Sequence, residues 1–491
     1  MSNLKINKKL LFALPFTFFV FLYAYPSINA GPVSSDDYQY WYLATNLVKT
    51  GNYGIIDFSQ NILNDFANPL NNAGIRRGEV LYTSAIASII YLTTSYQELS
   101  SINSDCIYQI NQGGCAVLGG STVLFNLIFL ILRMSVVYFV IFSFYNKLNL
   151  VQKILLSNFI FISFPYTNKD FLTYIFLLVF FLSYNKNLMP KKSKFLRFFS
   201  LAFIPLTNPI FYYFLIVFVF IGTFLSYIRK EKFLTTFLLI LISLIPSFAW
   251  SYRNYVHTDN FQITVRGSET IGIRAEFLNM DDRDIYAGFV YYTPGSFVTN
   301  KFTGYFWAKV GSSNDWEMYF DRNNPESKYR KGHSKNGFVF QNMLDLQNKN
   351  ENISFSEFVN EYGYENAVMS YRNSAFDLIS KNKIKYLKTT FLFSYRGLFP
   401  EFFQFNQGFK DNLVGSFINE IFLHLRLLPI IYCFYYLFRN FKYALKHETT
   451  YLFLYIFSSY ALFTHFIPRY STLLIPYTIY LYLQNVELKK I

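Results

Sequence analysis

The chain has 491 residues, 52% of them hydrophobic and 21% aromatic but only 15% charged. Soluble proteins of ordinary composition carry about 25% charged residues, so this balance excludes an ordinary soluble domain. The net charge of +14 raises nucleic acid as a partner, but its placement in short connections between apolar runs argues for topology instead.

In chain order, the first apolar run is "LLFALPFTFFVFLYAYP", residues 10–26. A membrane-crossing helix takes about 20 mainly apolar residues. The run lacks the small-residue cleavage site of a signal peptide and reads as a retained helix, with a cleaved signal as the alternative.

A polar segment, residues 27–121, follows. It opens on "GPVSSDDYQYWYLATNLVKTGNYG", where Asp36 and Asp37 start a predicted helix over about 36–50. Tyr40, Ala44 and Leu47 recur near one helical face with Asp36. Ser34 or Ser35 can cap the start, and Gly51 is a natural stop. Two readings of the acid pair stand. The acids sit in a first turn that the helix dipole favours, or they are functional carboxylates held at the membrane edge. After a turn-rich stretch comes an apolar helix over about 79–95, "EVLYTSAIASIIYLTTS". If it spanned, the Lys-rich loops beyond it would face outward, so it is expected to lie at the interface or against the bundle. Cys106 and Cys115 flank a Gly-rich loop, where a disulfide and two free thiols are both open readings.

Further spans are predicted at 122–145, 151–167, 171–184, 195–207, 209–228 and 233–252. Lys169 and Asp170 fall on an outer turn among them. Residues 253–413 form the second outer segment. It holds short β-like runs ("FQITV", "GFVYYT") and a solvated turn, "NMDDRD". A helix is predicted over "FSEFVNEYGYENAVMSYRNSAFDLISKN". The basic-then-aromatic "IKYLKTTFLFSYRGLFPEFFQF" follows and reads as an amphipathic helix on the membrane surface. The last spans are expected at 414–438, 449–467 and 470–485. Arg133 and Arg426 fall inside apolar helices, where a charge is costly and faces a bundle interior, and a structural role is expected for both. Cys433 reads as packing.

The expected architecture is therefore a mainly α, polytopic membrane protein of about ten transmembrane helices with two large outer segments. It divides into a transmembrane module (1–252), an outer segment with its interfacial helix (253–413) and C-terminal transmembrane helices (414–491). Alternate connections gather +15, of which residues 185–197 alone carry +5. This is the positive-inside pattern, and it puts both termini of a multi-pass protein in the cytoplasm.

"D-D-x-x-Y-x-x-x-A-x-x-L-x-x-x-G" directly after the first span resembles the signature of GT-C glycosyltransferases, the polyprenyl-phosphate-sugar enzymes that include protein O-mannosyltransferases and the lipid A aminoarabinose transferase. Four further stretches resemble that family in order: "RRGEVLYTSAIASII", "FPYTNKDFLTYIFLLVF", "PSFAWSYRNYVHTDNFQITVRG" and "HFIPRYSTLLIPY". Gly78 stands where the family has a proline, and the last stretch lacks its first proline.

The resemblance implies transfer of a sugar from a polyprenyl-phosphate-linked donor to a glycan, lipid or protein acceptor on the outer face, with inversion. Such chemistry needs a carboxylate to take a proton or hold a metal, and cations to hold the leaving phosphate. Asp36 is the candidate base, with Asp37 beside it. Asp170 is a candidate to position the acceptor or share a divalent metal, the metal's identity being left open. Arg76, Lys169, Arg253 and Arg469 are candidates for the phosphate, with Arg77 adjacent, and Tyr40 and His465 for substrate contact. The alternatives are snorkelling for Arg253 and Arg469, pairing with Asp170 for Lys169, and a polar interface for His465. Two other functions are weighed. A transporter or flippase would show related halves and midplane polar sites with little outer mass. A polysaccharide polymerase or ligase would carry a basic loop in place of the acid pair.

Overall fold

The structure, a computed structural model, describes residues 80–93, 116–144, 148–162, 170–184, 190–230, 233–258, 261–264, 266–282, 337–347, 355–399, 425–464 and 468–488. It also describes Thr17, Tyr40, Leu43, Ala44, Leu47, Val48, Ile285, Phe289 and Ile353. Among the described residues the chain is helical, with no strand. It divides into two compact units, one of residues 1–62, 70–263 and 479–491, the other of residues 63–69 and 264–478.

The first unit contains α1 (Val80–Thr93), α2 (Ala116–Phe144), α3 (Leu150–Ile162), α4 (Asp170–Leu182), α5 (Pro190–Thr207), α6 (Ile210–Ile228) and α7 (Phe233–Thr258). Neighbours in sequence pack together: α2 on α3, α4 on α5, and α6 on both α5 and α7. In addition, α5 packs on α7 and α1. Two stretches, Ile210–Ile228 and Phe233–Val256, are long and apolar enough to cross a membrane. The patterning of α7 is inverted relative to a soluble helix. Its buried face carries Ser243, Ser247, Ser251 and Asn254 beside Ile240 and Leu244, while Leu234, Leu238, Ile242, Ile245 and Tyr252 are exposed. Small serines let neighbouring helices approach closely. Ser243 Oγ donates to the Phe198 carbonyl of α5 at 3.2 Å. Burying a large apolar side chain is worth about 1.5–3 kcal/mol, so a row of them left outside asks for an apolar surround rather than water.

A polar triad ties the first predicted span to this unit. Asn158 Nδ2 of α3 donates to Thr17 Oγ1 at 2.7 Å, and the Tyr138 hydroxyl of α2 donates to Asn158 Oδ1 at 3.0 Å. Side-chain hydrogen bonds of this kind hold helices together where burial of apolar surface gives no driving force.

The second unit contains α8 (Arg266–Glu276), α9 (Phe338–Leu346), α10 (Phe355–Tyr362), α11 (Tyr364–Lys381), α12 (Lys383–Arg396), α13 (Leu428–Arg439), α14 (Phe441–Ala444), α15 (Glu448–Phe463) and α16 (Pro468–Ser471). A short 3₁₀ turn then leads to α17 (Ile475–Leu488), which runs on from this unit into the first. The core of the second unit gathers Ile271, Ala275, Leu278, Phe340, Met343, Phe358 and Tyr371 from the stretch between α8 and α11. Two buried charges organise it. Glu276 closes the start of α9, accepting from the Phe338 and Val339 N–H groups at 2.9 and 3.0 Å. These are orphan donors of a helix N-terminus, and Glu276 satisfies them from more than sixty positions earlier in the chain. Arg274 Nη2 donates to the Tyr386 carbonyl and Thr390 Oγ1 of α12, with its guanidinium over the rings of Tyr386 and Phe393.

Three expectations are corrected here. The β-like "FQITV" is irregular over residues 261–264. The carbonyls of Gln262 and Ile263 accept from Asn254 Nδ2 of α7, so a side chain supplies what a strand partner would have supplied. The single helix expected over 355–382 is broken between α10 and α11 by Gly363. Its φ of +81° lies in the region only glycine enters freely. Arg426 does not lie inside a helix but in the turn before α13. Pro429 stands in the first turn of α13. There its missing N–H costs nothing, so α13 can begin at that point. "GFVYYT" lies outside the described residues except Phe289, which is helical.

Candidate active site

Asp36 and Asp37 lie outside the described residues, but the helix they are expected to open is fixed at several positions behind them. Tyr40, Leu43 and Ala44 are fully buried there, with Leu47 and Val48 half-buried. The periodicity read from the sequence thus corresponds to a packed face. Tyr40 meets Tyr82 of α1 edge-to-face, with ring centroids 5.2 Å apart and planes at 80°, a favoured aromatic geometry. Ile86, Ala87, Ile89 and Ile90 of α1 complete the cluster, with Ile128 of α2 and Leu172 of α4 packed against it. The expectation that residues 79–95 pack on other helices agrees with this arrangement. At 14 residues, α1 is also short for a span.

Leu172 stands in the first turn of α4, which begins at Asp170. Asp170 is fully buried, and the positive end of the helix dipole favours a carboxylate at that position. Phe171, between the two, carries the guanidinium of Arg133 over its ring at 4.6 Å. Phe161 of α3 faces the same cation at 5.3 Å. Ring faces attract a guanidinium most strongly where water is excluded, and Arg133 is buried on α2. The helix of Tyr40, α1, α2 and the start of α4 therefore converge, and they gather a buried acid, a buried guanidinium and two tyrosines. The sequence alone points to a structural role for Arg133. The signal for a larger role is a charge inside an apolar run, and what the sequence lacks is the neighbour: Phe171, adjoining Asp170.

Arg253 is half-buried near the end of α7. Its Nη1 donates to Asn254 Oδ1 at 3.0 Å, and its guanidinium lies 5.1 Å from the Trp250 ring centroid. Arg469 is on α16 in the second unit; its backbone is helical and its side chain lies outside the described residues. Arg76, Arg77, Lys169, His465, Cys106 and Cys115 also lie outside the described residues. Cys433 is a buried free thiol whose Sγ lies 3.1 Å from Thr478 Oγ1, a packing role. In "NMDDRD", Asp281 and Asp282 are exposed, and Asp282 pairs with Lys388 at 2.8 Å. Among the described residues, no three His, Cys, Asp or Glu side chains are grouped to hold a metal ion.

Comparison of the chain with protein-family models, with curated proteins and with solved structures finds no match in any of the three.

Proposed function

We propose that this chain is an integral-membrane glycosyltransferase that moves a sugar from a polyprenyl-phosphate-linked donor to an acceptor hydroxyl on the outer face of a bacterial-type inner membrane. The observation that carries the reading is the packing of Tyr40 and Leu172 into one cluster. Tyr40 stands four positions after Asp36, and Leu172 two after Asp170. Asp170 heads α4, whose Leu172 thus shares a core with the helix that Asp36 and Asp37 are expected to open, and the buried Arg133 lies over the ring of Phe171, next in sequence to Asp170. The ordered resemblance to GT-C enzymes supplies the reaction class.

In this reading the acceptor oxygen attacks the anomeric carbon. The bond from that carbon to the phosphate oxygen breaks, and its electron pair leaves with the polyprenyl phosphate. The acceptor proton passes to the Asp36 carboxylate, a general-base role worth about 10²–10⁴ in rate. Asp37 caps or orients, and Asp170 positions the acceptor. Arg76, Lys169 and Arg253 are the cations for the leaving phosphate. The donor's lipid tail stays in the bilayer. Ten spans are counted from the apolar runs, and the charge pattern supports a threading with both termini cytoplasmic. Retention of the first span is supported by the Thr17–Asn158 hydrogen bond.

The test is donor turnover by the reconstituted protein and its Asp170→Asn variant. The amide keeps the shape of the carboxylate and loses its charge. Transfer should fall by at least roughly tenfold while donor binding persists. Unchanged transfer by Asp170→Asn would remove Asp170 from the site.

A further inference from the structure

The helix α12 is apolar on two opposite sides. At about 100° per residue, Tyr386, Thr389 and Phe393 fall on one face. There they meet the second unit: Thr389 and Phe393 are buried, and the Tyr386 hydroxyl donates to the Leu462 carbonyl near the end of α15 at 2.5 Å. Ile384, Leu387 and Phe391 fall on the opposite face and are 74%, 54% and 69% exposed. The packed core uses nothing from this stripe.

Two cations flank it. Lys383, exposed, falls about 40° beyond the Leu387 edge of the stripe, and Lys385, half-buried, about 100° beyond its Ile384 edge. Among the described residues neither makes a salt bridge, whereas Lys388 is paired with Asp282 and Lys381 with Asp377. An apolar stripe with a lysine on each flank is how a helix lies in a bilayer interface: the stripe enters the acyl boundary and the ammonium groups turn up to lipid phosphates.

We infer that α12 docks along its length on the outer leaflet of the membrane, with Ile384, Leu387 and Phe391 in the acyl boundary and Lys383 and Lys385 on the headgroups of anionic phospholipids. The inference rests on the membrane reading above. Its consequence is mechanical: α12 is joined to the core through Arg274, so docking holds the second unit at the surface where a lipid-borne donor presents its phosphate.

The experiment uses the full chain in vesicles of phosphatidylcholine and phosphatidylglycerol. A single environment-sensitive label is placed in turn at 384, 391, 373 and 220. Asn373 is an exposed position of α11, and Phe220 an exposed position of the candidate span α6. Nitroxide-bearing lipids should quench the label at 384 and 391 and leave the one at 373 open to iodide. Nitroxide phosphatidylglycerol should quench position 384 more than nitroxide phosphatidylcholine. Two lysines near an anionic surface set that excess at up to roughly thirtyfold, and the Lys383→Gln/Lys385→Gln variant should abolish it. Quenching at 220 without quenching at 391 would overturn the docking and leave the membrane reading intact. Absence of quenching at 220 as well would overturn both. Equal quenching by the two lipids would overturn the assignment of anionic phospholipid as the partner.

Discussion

Glu276 has its carboxylate buried behind α9, and loss of water pushes its pKa up to about 7. The hydrogen bonds from Val339, Phe338 and Tyr371 oppose that rise without cancelling it. Below about pH 4.5 both folded and unfolded chains hold the proton. Between about 4.5 and 7 the unfolded chain gives it up while the folded chain keeps it. The second unit should therefore lose stability as pH rises through that window, by about 1.4 kcal/mol for each pH step of one. Above about 7 both states are charged and the dependence flattens. Glu276→Gln keeps an acceptor for one N–H and cannot titrate, so its melting temperature should fall less than that of the native protein across the same pH window. Parallel melting curves for the two would contradict a titrating Glu276. Arg274 obeys the same physics with the opposite sign, since burial lowers its pKa to about 10 and leaves it charged at any physiological pH. Neither residue was legible in the sequence. "RGSETIGIRAE" mixes Ile271, Ile273 and Ala275 with four charged residues, and nothing in that mixture announces that Arg274 and Glu276 are buried. Arg133 was legible as a buried charge because it interrupts an apolar run. Its position against Phe171 was not, since cation–ring contacts between distant helices leave no spacing to read.

At the scale of helices, the period of apolar residues located the long elements well. The spans expected at 209–228 and 233–252 correspond to Ile210–Ile228 and Phe233–Thr258. What periodicity could not fix were the breaks, which depend on single backbone requirements: Gly363 between α10 and α11, and Pro429 at the start of α13. A further glycine shows how closely two helices approach. A Cβ built on Gly272 of α8 would come within 1.9 Å of the Tyr371 ring of α11. Overpacking of this kind costs about 1–3 kcal/mol when neighbours can shift. Gly272→Ala is thus expected to destabilise the second unit despite alanine's better helix propensity. Gly272→Ala combined with Tyr371→Leu should recover part of the loss. Thermal unfolding of the two variants checks this, and a Gly272→Ala protein as stable as the native one would show that Tyr371 has room to move.

For the whole molecule, the charge pattern predicts a topology with residue 192 on the cytoplasmic side and residues near 110 and 320 outside. An impermeant thiol reagent applied to intact cells should modify cysteines introduced near 110 and 320 and spare one at 192. Modification at 192 would invert the topology. The helical fold class was legible because composition and apolar runs are properties of the whole chain. The candidate site was legible only as separate stretches, because the packing of Tyr40 on Tyr82 and of Leu172 beside them joins segments that no local pattern connects. In the proposed reaction the acid pair Asp36–Asp37, just before Tyr40 in the sequence, performs transfer from a lipid-linked sugar. Its most direct test is release of polyprenyl phosphate from polyprenyl-phosphate-sugar by the reconstituted full chain, compared with its Asp36→Asn variant. Release should depend on acceptor and drop about 10²–10⁴-fold in the variant, with donor binding retained. Equal release by both proteins, or none by the native chain with donors that it demonstrably binds, would contradict it.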